Sequence, residues 1–203
     1  LSGLYSVNAR KGGNVSPIPA DHSQNLTGIW PNKVVNYKTV MSDAASGFTS
    51  VTYPFPVIRM ADLYLMYAEA LNEKGEDYAT VLPWIDMVRE RSGLQGVKES
   101  WDQYVGNSKY ATQTGLRQII MQERRIELAF EGHYFWDVRR WKTATTELTQ
   151  PLTGWKVRYG ETDVDYYSEN LVLVRDFTPK MYFWPIDIGE LRKDPNLVQN
   201  YGW

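Results

Sequence analysis

The chain contains no cysteine, which excludes disulfide staples and thiolate metal sites. Only two histidines occur, His22 and His133, and neither has a glutamate three residues before it. That removes the paired Glu-x-x-His of a di-metal carboxylate bundle and leaves too few ligands for a zinc site. No metal and no other cofactor is expected. No apolar run approaches the roughly 20 residues of a membrane-spanning helix. An excess of either sign of charge is also lacking: the formal net charge is −2 and the isoelectric point about 5.8, which argues against a nucleic-acid partner. No Gly-x-Ser-x-Gly elbow and no phosphate-cradling glycine loop is found. The chain opens at Leu1 without an initiator Met. It reads as a fragment or processed form, with any targeting segment upstream.

Aromatic residues are plentiful, with eight Trp and fourteen Tyr in 203 residues. They supply core and interface mass. They also supply flat faces that match the apolar C–H face of a sugar ring. A chain of this length buries about 70% of its unfolded surface, enough for a core without staples.

Two regions are expected. Residues 1–55 are rich in Gly, Asn, Ser, Thr and Pro and read as an irregular segment with short extended pieces such as Lys33–Val40. Residues 56–203 hold the helices. The first is expected over Val57–Lys74, with Pro56 in its first turn and Gly75 as its cap. Apolar residues cover most of its circumference, so burial on most sides is expected, with partners for Arg59, Asp62 and Glu69. A second helix is expected over Tyr78–Arg91, with Asp77 or Thr80 as cap and Pro83 acceptable only in the first turn. The short link at Gly75–Asp77 favours an antiparallel pair. A turn of helix around Trp101–Val105, a third helix over Thr114–Glu131 and a fourth over Tyr134–Thr143 follow. Residues 145–203 read as polar loop, with strands at Val172–Arg175 and Tyr182–Trp184 and a helical turn at Asp187–Lys193. The fold class is mainly α: helix hairpins with long irregular excursions.

The densest chemistry lies in Gln122–Trp141, where acids and bases alternate in small blocks between large aromatics. Glu123, Glu127 and Glu131 recur every four residues, which places three carboxylates on one helical face. A glycosidase needs two carboxyls facing each other across a sugar, and two rungs of one helix do not. Arg89, Arg91, Arg124, Arg125, Arg139 and Arg140, with Asp137, supply partners for a structural ion network instead. Pairing lowers a carboxylate pKa, the reverse of what a general acid needs. No catalytic residue is assigned; hydrolysis through Glu127 or Glu131 is the less favoured alternative. Trp30, Asn32 and Tyr37, with Asp21, His22 and Asn25 before them, combine stacking plates with hydroxyl partners and are the candidate ligand-binding residues. Asn14 and Asn25 match the glycosylation acceptor pattern.

Four motifs occur in sequence: I-R-M-A-D-L-Y-L-M-Y-A-E-A-L-N-E (Ile58–Glu73), V-R-E-R-S-G-L (Val88–Leu94), I-I-M-Q-E-R-R-I-E-L-A-F-E-G-H-Y-F-W-D-V-R-R-W (Ile119–Trp141), and Y-F-W-P-I-D (Tyr182–Asp187) with N-L-V-Q-N-Y-G-W (Asn196–Trp203). Together they resemble the C-terminal half of the SusD/RagB family. That resemblance implies an α-helical superhelix of tetratricopeptide-like pairs, with the first repeats in a missing N-terminal half. It implies a non-catalytic, nutrient-binding lipoprotein on the extracellular face of the outer membrane, anchored through an N-terminal cysteine absent from this chain. The implied partner is a SusC-like TonB-dependent transporter, and the implied cargo an oligosaccharide, or a peptide in some relatives. Two positions depart from the family pattern. Tyr134 stands where Arg usually follows E-G-H, and Tyr201 where Pro is usual in Q-N-P-G.

Overall fold

A computed structural model of the chain describes residues 27–29, 31, 33, 36, 38–41, 48–49, 51–52, 54–157 and 162–203. The described elements fall into two compact units, one of residues 32–137 and one of residues 1–31 with 138–203. The fold is mainly α, built on tetratricopeptide-like helix pairs, with few and short strands.

In the first unit, α1 (Met60–Lys74) and α2 (Tyr78–Arg91) fold back on each other across Gly75–Asp77. Gly75 sits at φ 87° and donates to the Asn72 carbonyl at 3.0 Å, while Glu76 N–H reaches Leu71 at 3.1 Å. Only a residue tolerant of left-handed backbone closes α1 this way. Asp77 caps α2 by accepting from Ala79 N–H at 2.8 Å. Pro83 lies inside α2 rather than in its first turn. The helix therefore forgoes one hydrogen bond in its second turn, and packing against α1 holds it there.

After α3 (Val97–Ser100), a π-helical turn at Trp101–Val105 and a 3₁₀ turn at Lys109–Ala111, α4 (Gln113–Glu127) lies against α1 and α2. Leu65, Ala68, Val81, Ile85, Leu116 and Ile120 are almost fully buried where the three helices meet. Asn72 and Gln113 exchange amide bonds with each other's backbone carbonyls at 3.1 and 2.7 Å, which joins the end of α1 to the start of α4.

Two expectations for α1 change. It begins at Met60, because Arg59 has extended backbone and serves as the N-cap. Within its unit it is buried along one face only: α2 and α4 cover Ala61, Leu65 and Ala68, while Met60, Leu63, Met66 and Tyr67 are exposed.

The third expected helix is also shorter. α4 ends at Glu127, Phe130 and Gly132 then take φ of 64° and 84°, and α5 (His133–Arg140) begins. Left-handed backbone at two of three residues cannot continue a right-handed helix. Glu131 therefore belongs to the turn, and the expected three-carboxylate face does not form.

The second unit contains α6 (Ala144–Glu147), α7 (Asp163–Tyr166), α8 (Ile188–Lys193) and an antiparallel pair of strands, β3 (Leu152–Trp155) with β4 (Glu169–Leu173). A two-residue pair, β1 (Val40–Met41) with β2 (Phe48–Thr49), belongs to the first unit. β4 starts three residues before the strand expected at Val172–Arg175. No strand forms at Tyr182–Trp184, where a 3₁₀ turn (Pro179–Tyr182) ends instead. The backbone there is satisfied by side-chain amides. Gln199 accepts from Ile186 N–H at 2.8 Å and donates to its carbonyl at 2.9 Å, and Asn200 donates to Trp184 O at 2.7 Å. These bonds explain why the closing motif carries Gln-Asn.

Candidate functional site

The charged segment forms two linked clusters at the α4–α5 corner. The inner one is buried. Arg124, on the last turns of α4, donates Nε and Nη2 to Asp137 on α5 at 2.9 and 3.2 Å. Its Nη1 reaches Asp62 on α1 at 2.9 Å. Arg124, Asp137 and Asp62 are 3%, 4% and 7% exposed. One planar fork thus joins three helices, a task suited to arginine and not to lysine.

The outer cluster surrounds the end of α4. Arg59 grips Glu131 with Nε and Nη2 at 2.7 and 2.8 Å, and its Nη1 reaches Glu127 at 2.7 Å. Arg91 holds both Glu127 oxygens at 2.8 Å. Lys33 pairs with Glu131 at 2.5 Å and donates to the carbonyls of Glu127 and Ala129. Arg59 Nη2 also donates to the Glu127 carbonyl at 3.0 Å. Two cations therefore cap carbonyls that α4 leaves open, at the negative end of its dipole. Glu123, one turn earlier, pairs with Arg89, whose other nitrogens donate to the Gln95 carbonyl and the Ser100 hydroxyl.

Arg125, Arg139 and Arg140 each lie over an aromatic ring. Arg125 lies over the Tyr134 ring at 5.1 Å, so the residue that departs from the family pattern provides an aromatic face for a cation. Arg139 donates to the Met181 carbonyl and lies over Phe177 and Trp184. Arg140 lies 4.7 Å over Trp141. They brace the turns around α5 through aromatic faces and a carbonyl.

Glu127 and Glu131 come together, but the Arg59 guanidinium occupies the gap between them. A sugar has no room there. Burial would raise the Glu131 carboxyl, but hydrogen bonds from Arg59 and Lys33 outweigh it and hold the carboxyl below the ordinary range. A group held ionised is a poor general acid at neutral pH. Glu123 differs from the expected lowering: burial pushes its carboxyl up, and Arg89 offsets only part of that. It faces a guanidinium rather than a cleft. Among the described residues, no cluster of His, Asp and Glu is arranged to hold a metal ion.

Nothing in the local sequence marks Lys33 as a partner, and Arg59 and Asp62, whose positions demand partners, carry no local sign of which ones. The contacts span 62 to 96 residues, so spacing alone carried no signal for them. Trp30, Asn32 and Tyr37 lie outside the described residues, as do Asn14 and Asn25. A different pair of exposed aromatics was not anticipated: Trp155 at the end of β3 and Tyr167 just after α7, with ring centroids 5.6 Å apart. The Trp155 and Tyr166-Tyr167 spacing was the available signal, in a stretch otherwise read as polar loop.

The model of the SusD family (SusD_RagB) matches residues 9–203. Two SusD-like proteins of Formosa agariphila, P25 and P38, are 39% and 28% identical over 144 residues, 71% of this chain. Those 144 residues are 23% and 24% of the relatives, so the chain spans about a quarter of their length. A crystal structure of a SusD-like protein from Bacteroides fragilis superposes with a TM-score of 0.59 at 30% identity, covering 76% of this chain and 28% of that one.

Proposed function

Because this chain belongs to the SusD family, we propose that it is the C-terminal part of a surface glycan-binding subunit in a TonB-dependent uptake system, and that it binds oligosaccharide without cleaving it. In this reading it sits on the extracellular face of the outer membrane, held by a lipid anchor on a part of the protein outside this chain. It hands cargo to a SusC-like transporter. No described helix is long and apolar enough to cross a membrane, and this role asks for none.

The observation that carries the non-catalytic reading is the state of the acids. Arg59 fills the space between Glu127 and Glu131, and Glu131 is held ionised. Binding is then the work of aromatic faces and of side chains that meet hydroxyls. Trp30, Asn32 and Tyr37 are proposed among them.

The test is calorimetric titration of the full-length protein with purified oligosaccharides and, separately, with peptides. Saturable binding of an oligosaccharide, weakened by Trp30→Ala, is the expected result. Binding of peptides alone would overturn the substrate class.

A further inference from the structure

The β3–β4 hairpin is exposed along most of both strands, and at Gly154 one of its faces is met by residue 27. Gly154 faces the segment at Thr27 so closely that a Cβ there would lie 2.6 Å from Thr27 Cα. Trp155 N–H donates to the Thr27 carbonyl at 2.9 Å. Strand alternation places Thr153 and Trp155 on the opposite face, and the pairing of Trp155 with Glu169 and of Thr153 with Leu171 adds Glu169 and Leu171 to it. All four are exposed.

This face is firmly supported. Tyr166 and Val157 are 6% and 2% exposed and form a small core next to it. Gly28 packs against that core, with no room for a side chain beside the Tyr166 hydroxyl and Trp155. Tyr167 stands edge-on to Tyr166 at 5.0 Å and to Trp155 at 5.6 Å. It is 62% exposed, and Trp155 37% exposed. Among the described residues, Glu169 and Thr153 make no side-chain hydrogen bond or ion pair.

We propose that this open face is a carbohydrate subsite, with Trp155 and Tyr167 as two aromatic walls at 80° to each other, against which a sugar ring stacks, and Glu169 and Thr153 as hydroxyl partners. The proposal deepens the glycan-binding reading above and rests on it. The chemistry selects the ligand class. An exposed aromatic pair on a braced scaffold offers apolar area at little entropic cost. A carboxylate and a hydroxyl with unused capacity suit the hydroxyl donors and acceptors at a pyranose rim. Glu169 is the one ionisable residue on the open face of the two strands, which disfavours sulfated or uronate-rich chains and favours neutral ones.

The experiment uses the full-length protein and a panel of neutral gluco-, xylo- and manno-oligosaccharides beside sulfated and uronate-containing ones. Trp155→Ala and Tyr167→Ala are expected to weaken binding of the preferred neutral ligand at least tenfold, Glu169→Gln about threefold, and Trp155→Phe much less than Trp155→Ala. Tyr167 is largely exposed, so Tyr167→Ala is expected to keep the parent melting temperature and to separate lost binding from lost folding. Unchanged affinity in both Trp155→Ala and Tyr167→Ala, with the parent binding normally, would overturn the subsite and leave the glycan-binding function standing. Preference for sulfated or uronate chains would overturn the selectivity argument. A parent that binds no oligosaccharide, with Tyr167→Ala impairing capture of the transporter instead, would overturn both readings.

Discussion

Replacing Arg124 with methionine keeps most of the side chain's apolar bulk and removes its charge. The guanidinium is 3% exposed and supplies three hydrogen bonds at 2.9 to 3.2 Å to two carboxylates that are themselves nearly buried. Removing one member of a buried ionic cluster costs about 3–5 kcal/mol, because the remaining charges lose their compensation in a poorly solvated place. Domains of this kind are stable by only about 5–15 kcal/mol, so Arg124→Met is expected to consume a large share of the total. Urea unfolding followed by circular dichroism measures it. The charge argument is separated from packing by a double-substitution cycle. In an Asp62→Asn background, Arg124→Met is expected to cost less by about 1–3 kcal/mol, the usual coupling within one ionic network. A single-substitution cost below about 1 kcal/mol, or a coupling within about 0.5 kcal/mol of zero, would show that Arg124 does not hold the three helices together through its charge.

Glu127→Ala is expected to cost less, about 1–3 kcal/mol, because Arg59 keeps Glu131 and the largely exposed Arg91 returns to water; the same unfolding assay measures it. Glu131 has a folded pKa below its ordinary 4.5, so its ion pairs contribute stability in full above that value and lose it as pH falls through the folded pKa. The gap between the parent and Glu131→Gln in urea midpoint is thus expected to be open at neutral pH and to close in acid. Glu123 runs the other way: its raised folded pKa makes its contribution decline as pH rises through the window above 4.5. Gly115→Ala reverses the usual helix preference. A Cβ would lie 2.0 Å from the Lys109 carbonyl oxygen, so a change that ordinarily gains about 1 kcal/mol is expected to cost about 1–3 and to lower the melting temperature by several degrees.

The helix hairpin was legible because its signals are local. Gly75 and Asp77 are a stop and a start two residues apart, and both do in the structure what their chemistry implies. The corner was only half legible. The four-residue recurrence of glutamate ran straight through Phe130, and a positive φ at a phenylalanine leaves no trace in spacing. Glu131 still meets Arg59, but the turn delivers it rather than a helical ladder. Pairing was expected for Arg59 and Asp62 on α1, yet their partners lie on elements more than 60 residues away. The Trp155–Tyr167 pair was hidden for a related reason. β3 holds only four residues with glycine third, too brief for alternation to register. Contact with Thr27 at Gly154 marks the opposite face, and that contact is not local in sequence.

The central claim is that the acids of the α4–α5 corner hold the fold and cut no substrate. Its most direct test is prolonged incubation of the full-length protein with an oligosaccharide it binds, followed by chromatographic analysis of chain length and reducing ends. The oligosaccharide is expected to stay unchanged with the parent, Glu127→Gln and Glu131→Gln alike, with only thermal stability altered in the variants. New reducing ends that vanish in a well-folded Glu127→Gln or Glu131→Gln protein would contradict it.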